Sequence, residues 1–209
     1  MIGALPFGSC YVYSPRGRNA ASRCSRRLRA RLKALDERWI AKYVARVHHQ
    51  VVEQGLFSGL FDSRAMLVPV PRSAPMRNVE VWVARRLALA LQQAGLGAGV
   101  WMGLQRRYAI RKSATAPDGE RPSVAQQFES LTLGTSLAAV DRVLLVDDVV
   151  TKGRTLLAAA LRVREVFPTA EVRAFALVRT MGLVKDVAQL VEPCEGEIRW
   201  HAGDALRAP

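Results

Sequence analysis

One stretch of the chain combines two carboxylates with hydroxyl, glycine and basic residues. Asp147 and Asp148 follow the apolar residues 143–146, and the next residues include Thr151, Lys152, Gly153, Arg154 and Thr155. A loop that enters a helix offers a phosphate several unpaired N–H groups and the positive end of the helix dipole. Glycine lets the backbone approach such an anion closely, and threonine hydroxyls add donors. The pattern therefore predicts a phosphate-binding loop.

The adjacent acids indicate a second ligand group beside the phosphate. Carboxylates repel a phosphate unless they bind hydroxyl groups or a metal ion, and ribose hydroxyls meet this requirement. A ribose-5-phosphate site is therefore predicted. A receiver domain fits poorly because only 61 residues follow Asp148, and a P-loop NTPase fits poorly because the sequence has no G-x-x-x-x-G-K-[ST]. An ordinary strand–turn–helix with solvent-facing aspartates stays open.

The elements around this loop alternate between strands and helices. Apolar periodicity predicts strands at 66–70, 142–146 and 172–178, and helices at 21–35, 37–54, 79–94 and 155–167. Such alternation is typical of an α/β fold with a parallel sheet flanked by helices, whose ligands bind at the carboxyl ends of the strands. Residues 109–136 are polar and rich in Ser, Thr, Pro and Gly, which predicts a long flexible loop.

The sequence at 143–155 resembles the phosphoribosyl-pyrophosphate (PRPP) motif of type I phosphoribosyltransferases. The shared pattern is four hydrophobic residues, two acids, two hydrophobic residues and T-x-G-x-T. The V-L-L-V-D-D-V form is most similar to the ComF-like branch, as is Leu67-Val68-Pro69-Val70-Pro71, and the resemblance covers about residues 64–182. Two departures are the lack of a four-cysteine zinc ribbon and of the R-G-F-N-Q stretch after the V-P-V-P strand, where this chain has residues 75–80. The loop also has the basic residues Lys152 and Arg154, where small or hydroxyl residues are more usual.

The resemblance implies a type I phosphoribosyltransferase fold and transfer of ribose 5-phosphate from PRPP to a nucleobase or related acceptor, with release of pyrophosphate. It assigns the ribose hydroxyls to Asp147 and Asp148. The loop 109–136 matches the position of the family's lid and supplies Lys112 as a further catalytic candidate. Mg²⁺ is expected to be bound mainly through PRPP, with no metal site of the protein's own. The PRPP-binding candidates implied are Asp147, Asp148, Val149, Val150, Thr151, Lys152, Gly153, Arg154 and Thr155, with Arg72 and Ser73 for the pyrophosphate.

The charge of the chain indicates polyanionic partners. The net charge is +13 and the pI about 10.8, with +8 in residues 1–60, +5 in 61–140 and zero in 141–209. We divide the chain into a basic helical N-terminal region or hood at 1–60 and a phosphoribosyltransferase-like domain at 61–209. Residues 16–46 are a candidate nucleic-acid surface, and a solvated helix face explains the same charge equally well.

Other partners and functions also stay open at this point. The charge also suits an antitoxin or another acidic protein, and a homodimer is a further candidate assembly. One alternative function is a toxin of a toxin–antitoxin or phage-defence pair that hydrolyses or misuses PRPP. Another is a non-catalytic PRPP sensor or DNA-uptake-associated ComF-like protein. The lack of a membrane-length apolar run and of a secretory signal, with three separated cysteines, predicts a cytoplasmic protein without membrane contact.

Overall fold

The computed structural model describes residues 3–75, 81–111, 120–134, 140–182 and 184–209. The helices are α1 (Ala20–Lys33), α2 (Glu37–Val52), α3 (Val83–Gln93), α4 (Val124–Glu129) and α5 (Arg154–Val166). The strands are β1 (Ala4–Tyr13), β2 (Met66–Pro69), β3 (Gly99–Val100), β4 (Leu104–Arg106), β5 (Leu131–Leu133), β6 (Arg142–Val150), β7 (Glu171–Thr180), β8 (Val191–His201) and β9 (Asp204–Ala208). No helix in these ranges is long and apolar enough to cross a membrane.

The described strands form a seven-stranded sheet and a separate two-stranded one. The order in the large sheet is β3-β2-β6-β7-β1-β8-β9, with every pair from β3 to β1 parallel and the pairs β1–β8 and β8–β9 antiparallel. Strands β4 and β5 pair antiparallel outside it. The sheet is mostly parallel and flanked by helices, so the predicted α/β fold of the type I phosphoribosyltransferase kind is confirmed.

Helices cover both faces of the sheet because its strands alternate buried side chains between two cores. Val143 and Leu145 of β6 pack in the core that contains the apolar residues of α5. Leu144 and Val146 pack in the second core, with residues of α1, α2 and α3. This two-sided burial explains the near-continuous apolar run of β6. It also anchors the carboxyl end of β6, where the acid pair lies.

The N-terminal region was expected to be helical, but only part of it is. Helices α1 and α2 confirm the predicted pattern after residue 20, but Ala4–Tyr13 is a strand between β7 and β8 in the sheet. Gly8 leaves room there for neighbouring side chains, since a Cβ atom would lie 2.4 Å from Leu60 Cδ1 and would force that side chain to shift. The division at residue 60 stays a prediction, while β1 belongs to the same sheet as β6.

The predicted loop at 109–136 also contains regular structure. Helix α4 begins at a capping box, in which the Ser123 side chain accepts from the Gln126 N–H and the Gln126 side chain accepts from the Ser123 N–H. Val124 and Leu131 are buried, so this part of the segment packs on the domain and the expectation of an unstructured loop is wrong here. Residues 112–119, which include Lys112, and residues 135–136 of the predicted loop lie outside the described residues.

Candidate active site

A cleft of about 970 Å³ opens at the carboxyl ends of β6, β7 and β1. The described residues that line it include every member of the predicted loop: Asp147, Asp148, Val149, Val150, Thr151, Lys152, Gly153, Arg154 and Thr155. Residues after β1 and β7 and residues of the β8–β9 hairpin complete its wall. The position agrees with the rule that α/β sheets bind ligands beyond the carboxyl ends of their strands.

The acid pair lies at the end of β6, which continues through Val150 in contact with β7. The Asp148 N–H donates to Asp147 Oδ1 at 2.8 Å. Burial, the largest cause, together with the negative charge of Asp148, raises the pKa of Asp147 well above its usual value, and the Arg106 guanidinium partly offsets this. A carboxyl with a raised pKa at a strand end can exchange hydrogen bonds with sugar hydroxyls.

Gly153 marks the point where the loop becomes helix α5. Its φ of +87° lies in the left-handed region, and a Cβ atom would lie 2.7 Å from Ile198 Cδ1 on β8. No side chain caps this helix, and its first helical hydrogen bond runs from Leu157 N to Gly153 O. The N–H groups of the first turn therefore have no carbonyl partner within the helix, as a phosphate site requires.

The side chain of Arg154 forms hydrogen bonds with the β8–β9 hairpin and with the segment before α4. The guanidinium pairs with both carboxylate oxygens of Asp204, with Nη2 at 2.5 Å from Oδ2, and Nη1 donates to Arg121 O at 3.2 Å. These hydrogen bonds lower the pKa of Asp204. Lys152 Nζ also lies 3.7 Å from Asp204 Oδ2. The guanidinium of Arg154 is therefore bound within the fold, and a phosphate-binding role for this residue stays a prediction.

Arg72 and Ser73 follow β2, on the other side of β6 from β7 and β1. Neither is among the described residues that line the cleft. The Arg72 carbonyl accepts from Nε of the buried Arg106 at 2.9 Å, and the Ser73 carbonyl accepts from Ile110 N at 2.7 Å. Desolvation lowers the pKa of Arg106 to about 10. The structure therefore places this pair beside Arg106 and Ile110, and its pyrophosphate role stays a prediction.

Sequence reasoning missed the contribution of the β8–β9 hairpin to the cleft. Asp204 pairs with Arg154, Ile198 packs on Gly153, and Arg207 donates to Thr180 O at 2.8 Å and to Val150 O at 3.4 Å. The hairpin turns at Ala202-Gly203, both at positive φ, and Gly203 was the signal in the sequence for this turn.

In the described part of the chain, no group of three or more His, Cys, Asp or Glu side chains is arranged to hold a metal ion. Asp147 and Asp148 are two neighbouring oxygen donors at the cleft. Such a pair suits an ion that takes its remaining ligands from a phosphorylated substrate and water.

Comparison with protein families supports the fold. The model of the phosphoribosyl transferase domain family matches residues 35–203, which is most of the chain. A comparison with curated proteins gave no match. The family match includes the β6–α5 segment that places the acid pair and the helix N-terminus in one cleft. The chain therefore belongs to the phosphoribosyl transferase domain family.

Proposed function

We propose that this protein transfers ribose 5-phosphate from PRPP to a nucleobase-like acceptor and releases pyrophosphate. The observation on which the proposal rests is that the acid pair and the open N-terminus of α5 line the same cleft. The phosphate and the sugar hydroxyls of ribose 5-phosphate belong to one small molecule, so the groups that bind them must lie in one cleft. The V-L-L-V-D-D-V form further supports a ComF-like member of the family.

The proposed chemistry asks the protein for positioning rather than for a covalent intermediate. A lone pair of the acceptor forms the bond to C1 of the ribose while the C1–O bond breaks, and pyrophosphate leaves with that electron pair. The acceptor proton passes to solvent. Asp147 and Asp148 hold the ribose hydroxyls, and the amides and hydroxyls of residues 151–155 hold the 5-phosphate. Mg²⁺ bound to PRPP would neutralise charge on the pyrophosphate, with Asp147 and Asp148 as the nearby protein oxygens.

Mass spectrometry of the products tests this proposal. The protein is incubated with PRPP, Mg²⁺ and a mixed pool of nucleobases, and we expect a ribosylated product together with pyrophosphate. Asp147→Ala combined with Asp148→Ala should abolish both products. Unchanged PRPP after incubation with every acceptor would contradict the proposal. Ribose 5-phosphate formed at the same rate without acceptor would favour the PRPP-consuming toxin instead.

A second candidate activity, nucleic-acid binding, is supported by the surface of α1. The helix buries Ser22, Ser25, Leu28 and Leu32 and leaves Arg23, Arg27 and Lys33 exposed. We expect fluorescence anisotropy with a labelled 20-base-pair duplex to show binding that weakens steeply with salt. Arg23→Glu combined with Arg27→Glu should remove it. Binding that is absent at low salt, or unaffected by these changes, would exclude α1 as a nucleic-acid surface.

A further inference from the structure

The cleft continues past the proposed PRPP loop to the ends of β7 and β1. Tyr13, Pro15 and Arg16 after β1, Arg29 of α1 and Lys185 after β7 line this part. We call Tyr13, Arg16, Arg29 and Lys185 the basic end of the cleft. Its side chains come from segments far apart in the chain, so only the fold reveals it.

Uncompensated positive charge distinguishes the basic end. The carboxylates among the described lining residues are Asp147, Asp148 and Asp204. The first two lie on β6, and Asp204 is paired with Arg154. In the described ranges, no carboxylate oxygen lies within 4.0 Å of the side-chain nitrogens of Arg16, Arg29 or Lys185. This part of the wall therefore presents positive charge to whatever enters it.

The nearest acid in sequence is occupied elsewhere. Asp186 Oδ1 accepts from the backbone N–H groups of Arg18 at 2.6 Å and Asn19 at 2.9 Å, and these bonds lower the pKa of Asp186. It also accepts from Ser22 Oγ at 3.3 Å. Its charge therefore stabilises the start of α1 and is not paired with Lys185.

Buried hydroxyl groups fix the backbone that presents the basic end. The fully buried Ser14 donates from Oγ to Lys185 O and accepts from Gly17 N at 2.9 Å. Gly17 packs so closely that a Cβ atom would lie 2.3 Å from Lys185 O. Arg26 donates to Gly17 O at 2.6 Å. The segments that include Arg16 and Lys185 are thus joined in a defined geometry.

Arg29 is held over Tyr13 in the same region. Its guanidinium carbon lies 5.3 Å from the centre of the Tyr13 ring, and Nη1 donates to the Tyr13 hydroxyl at 3.4 Å. One such bond leaves most of the five guanidinium N–H groups for other acceptors. An arginine oriented in this way can form a bidentate hydrogen bond with a carboxylate or phosphate.

The geometry of substitution at C1 makes this the acceptor side of the cleft, and this step rests on the proposed function. The incoming atom bonds to C1 on the face opposite the departing pyrophosphate. The predicted pyrophosphate residues Arg72 and Ser73 follow β2, and the strand order β2-β6-β7-β1 places the basic end on the other side of β6. We propose that the acceptor carries its own negative charge, a carboxylate or phosphate, which the basic end binds.

Binding of matched charged and neutral acceptors tests the inference. Isothermal titration is first performed with PRPP and Mg²⁺ alone. With the 5-phosphate loop occupied in this way, it then compares uracil with orotate, nicotinamide with nicotinate, and phenol with phenyl phosphate. We expect the charged member of at least one pair to bind about tenfold more tightly, with an affinity that falls as salt rises. The carboxylate and phosphate pairs distinguish the two anionic groups.

Variants connect such a preference to the basic end. Arg29→Ala and Lys185→Ala should each weaken the charged probe about three- to tenfold and leave the neutral probe and PRPP unchanged. Arg85→Ala, at an exposed position of α3 that does not line the cleft, is the control and should change the binding of none of these probes. If PRPP itself does not bind, the proposed function fails. If PRPP binds but no pair shows a preference that these variants remove, the inference alone is overturned.

Discussion

Substitution of Gly153 by alanine tests how the C-terminal hairpin shapes the phosphate loop. The φ of +87° costs an L-residue about 1–2 kcal/mol, and the contact with Ile198, 2.7 Å from the new Cβ, adds about 1–3 kcal/mol of overpacking. We therefore expect Gly153→Ala to lower the free energy of unfolding by about 2–5 kcal/mol. Urea unfolding followed by circular dichroism measures it.

Gly203→Ala is the matched control for the backbone part of this cost. Gly203 has a φ of +80° and no atom within 4 Å of the position that a Cβ would take, so only the conformational cost of about 1–2 kcal/mol applies. Combining Gly153→Ala with Ile198→Ala removes the steric part, and the double variant should be less destabilised than the sum of the single variants by about 1–3 kcal/mol. Equal effects of the two glycine changes, or additive behaviour in the double variant, would refute the packing argument.

Three further substitutions probe charges around the cleft. Asp204→Asn should destabilise the fold by about 1 kcal/mol at neutral pH. Because the pKa of Asp204 is lowered in the folded protein, the difference in melting temperature from the unmodified protein should disappear as pH falls through that folded pKa. A difference that persists at lower pH would contradict the ion pair. Asp147→Asn should instead raise the melting temperature at pH 7, because the raised pKa of Asp147 means that its ionised form destabilises the folded protein. This gain should shrink as pH falls towards the unfolded pKa of about 4. A lower melting temperature of the variant at pH 7 would contradict this prediction. Arg106→Ala should lower the free energy of unfolding, measured in urea, by about 3–5 kcal/mol. The reason is that Ser130 Oγ and the Gln127 and Arg72 carbonyls lose this buried hydrogen-bond donor. A loss below about 1 kcal/mol would show that these acceptors find other partners.

The parts of the fold that sequence patterns predicted are those with a strong local signal. The apolar run of β6 and the amphipathic α1 and α2 were found within a few residues of their bounds. Strand β1 was missed because Pro6 and Gly8 lower its strand propensity, and its place in the sheet depends on partners more than 160 residues away. The capping box at Ser123 was a local signal for α4, but the polar composition around it obscured that signal.

The candidate site likewise has one part that local sequence predicts and one part that depends on tertiary packing. Its phosphate loop is contiguous in sequence, so residues 147–155 could be assigned to one site from the residue pattern alone. The pairing of Arg154 with Asp204 and the basic end around Arg29 and Lys185 depend on how distant segments pack, and charge counts along the chain do not contain that information. The excess charge of residues 1–60 consequently lies on the exposed faces of α1 and α2 and on the wall of the cleft.

Direct titration with PRPP in the presence of Mg²⁺ tests the central claim that the β6–α5 cleft is a PRPP site. Isothermal titration of the unmodified protein should show saturable binding, which Asp147→Ala combined with Asp148→Ala abolishes while circular dichroism stays unchanged. Asp141→Asn, at the exposed residue immediately before β6, should bind PRPP as the unmodified protein does. Absence of PRPP binding by the unmodified protein, or undiminished binding by the folded double variant, would contradict the account.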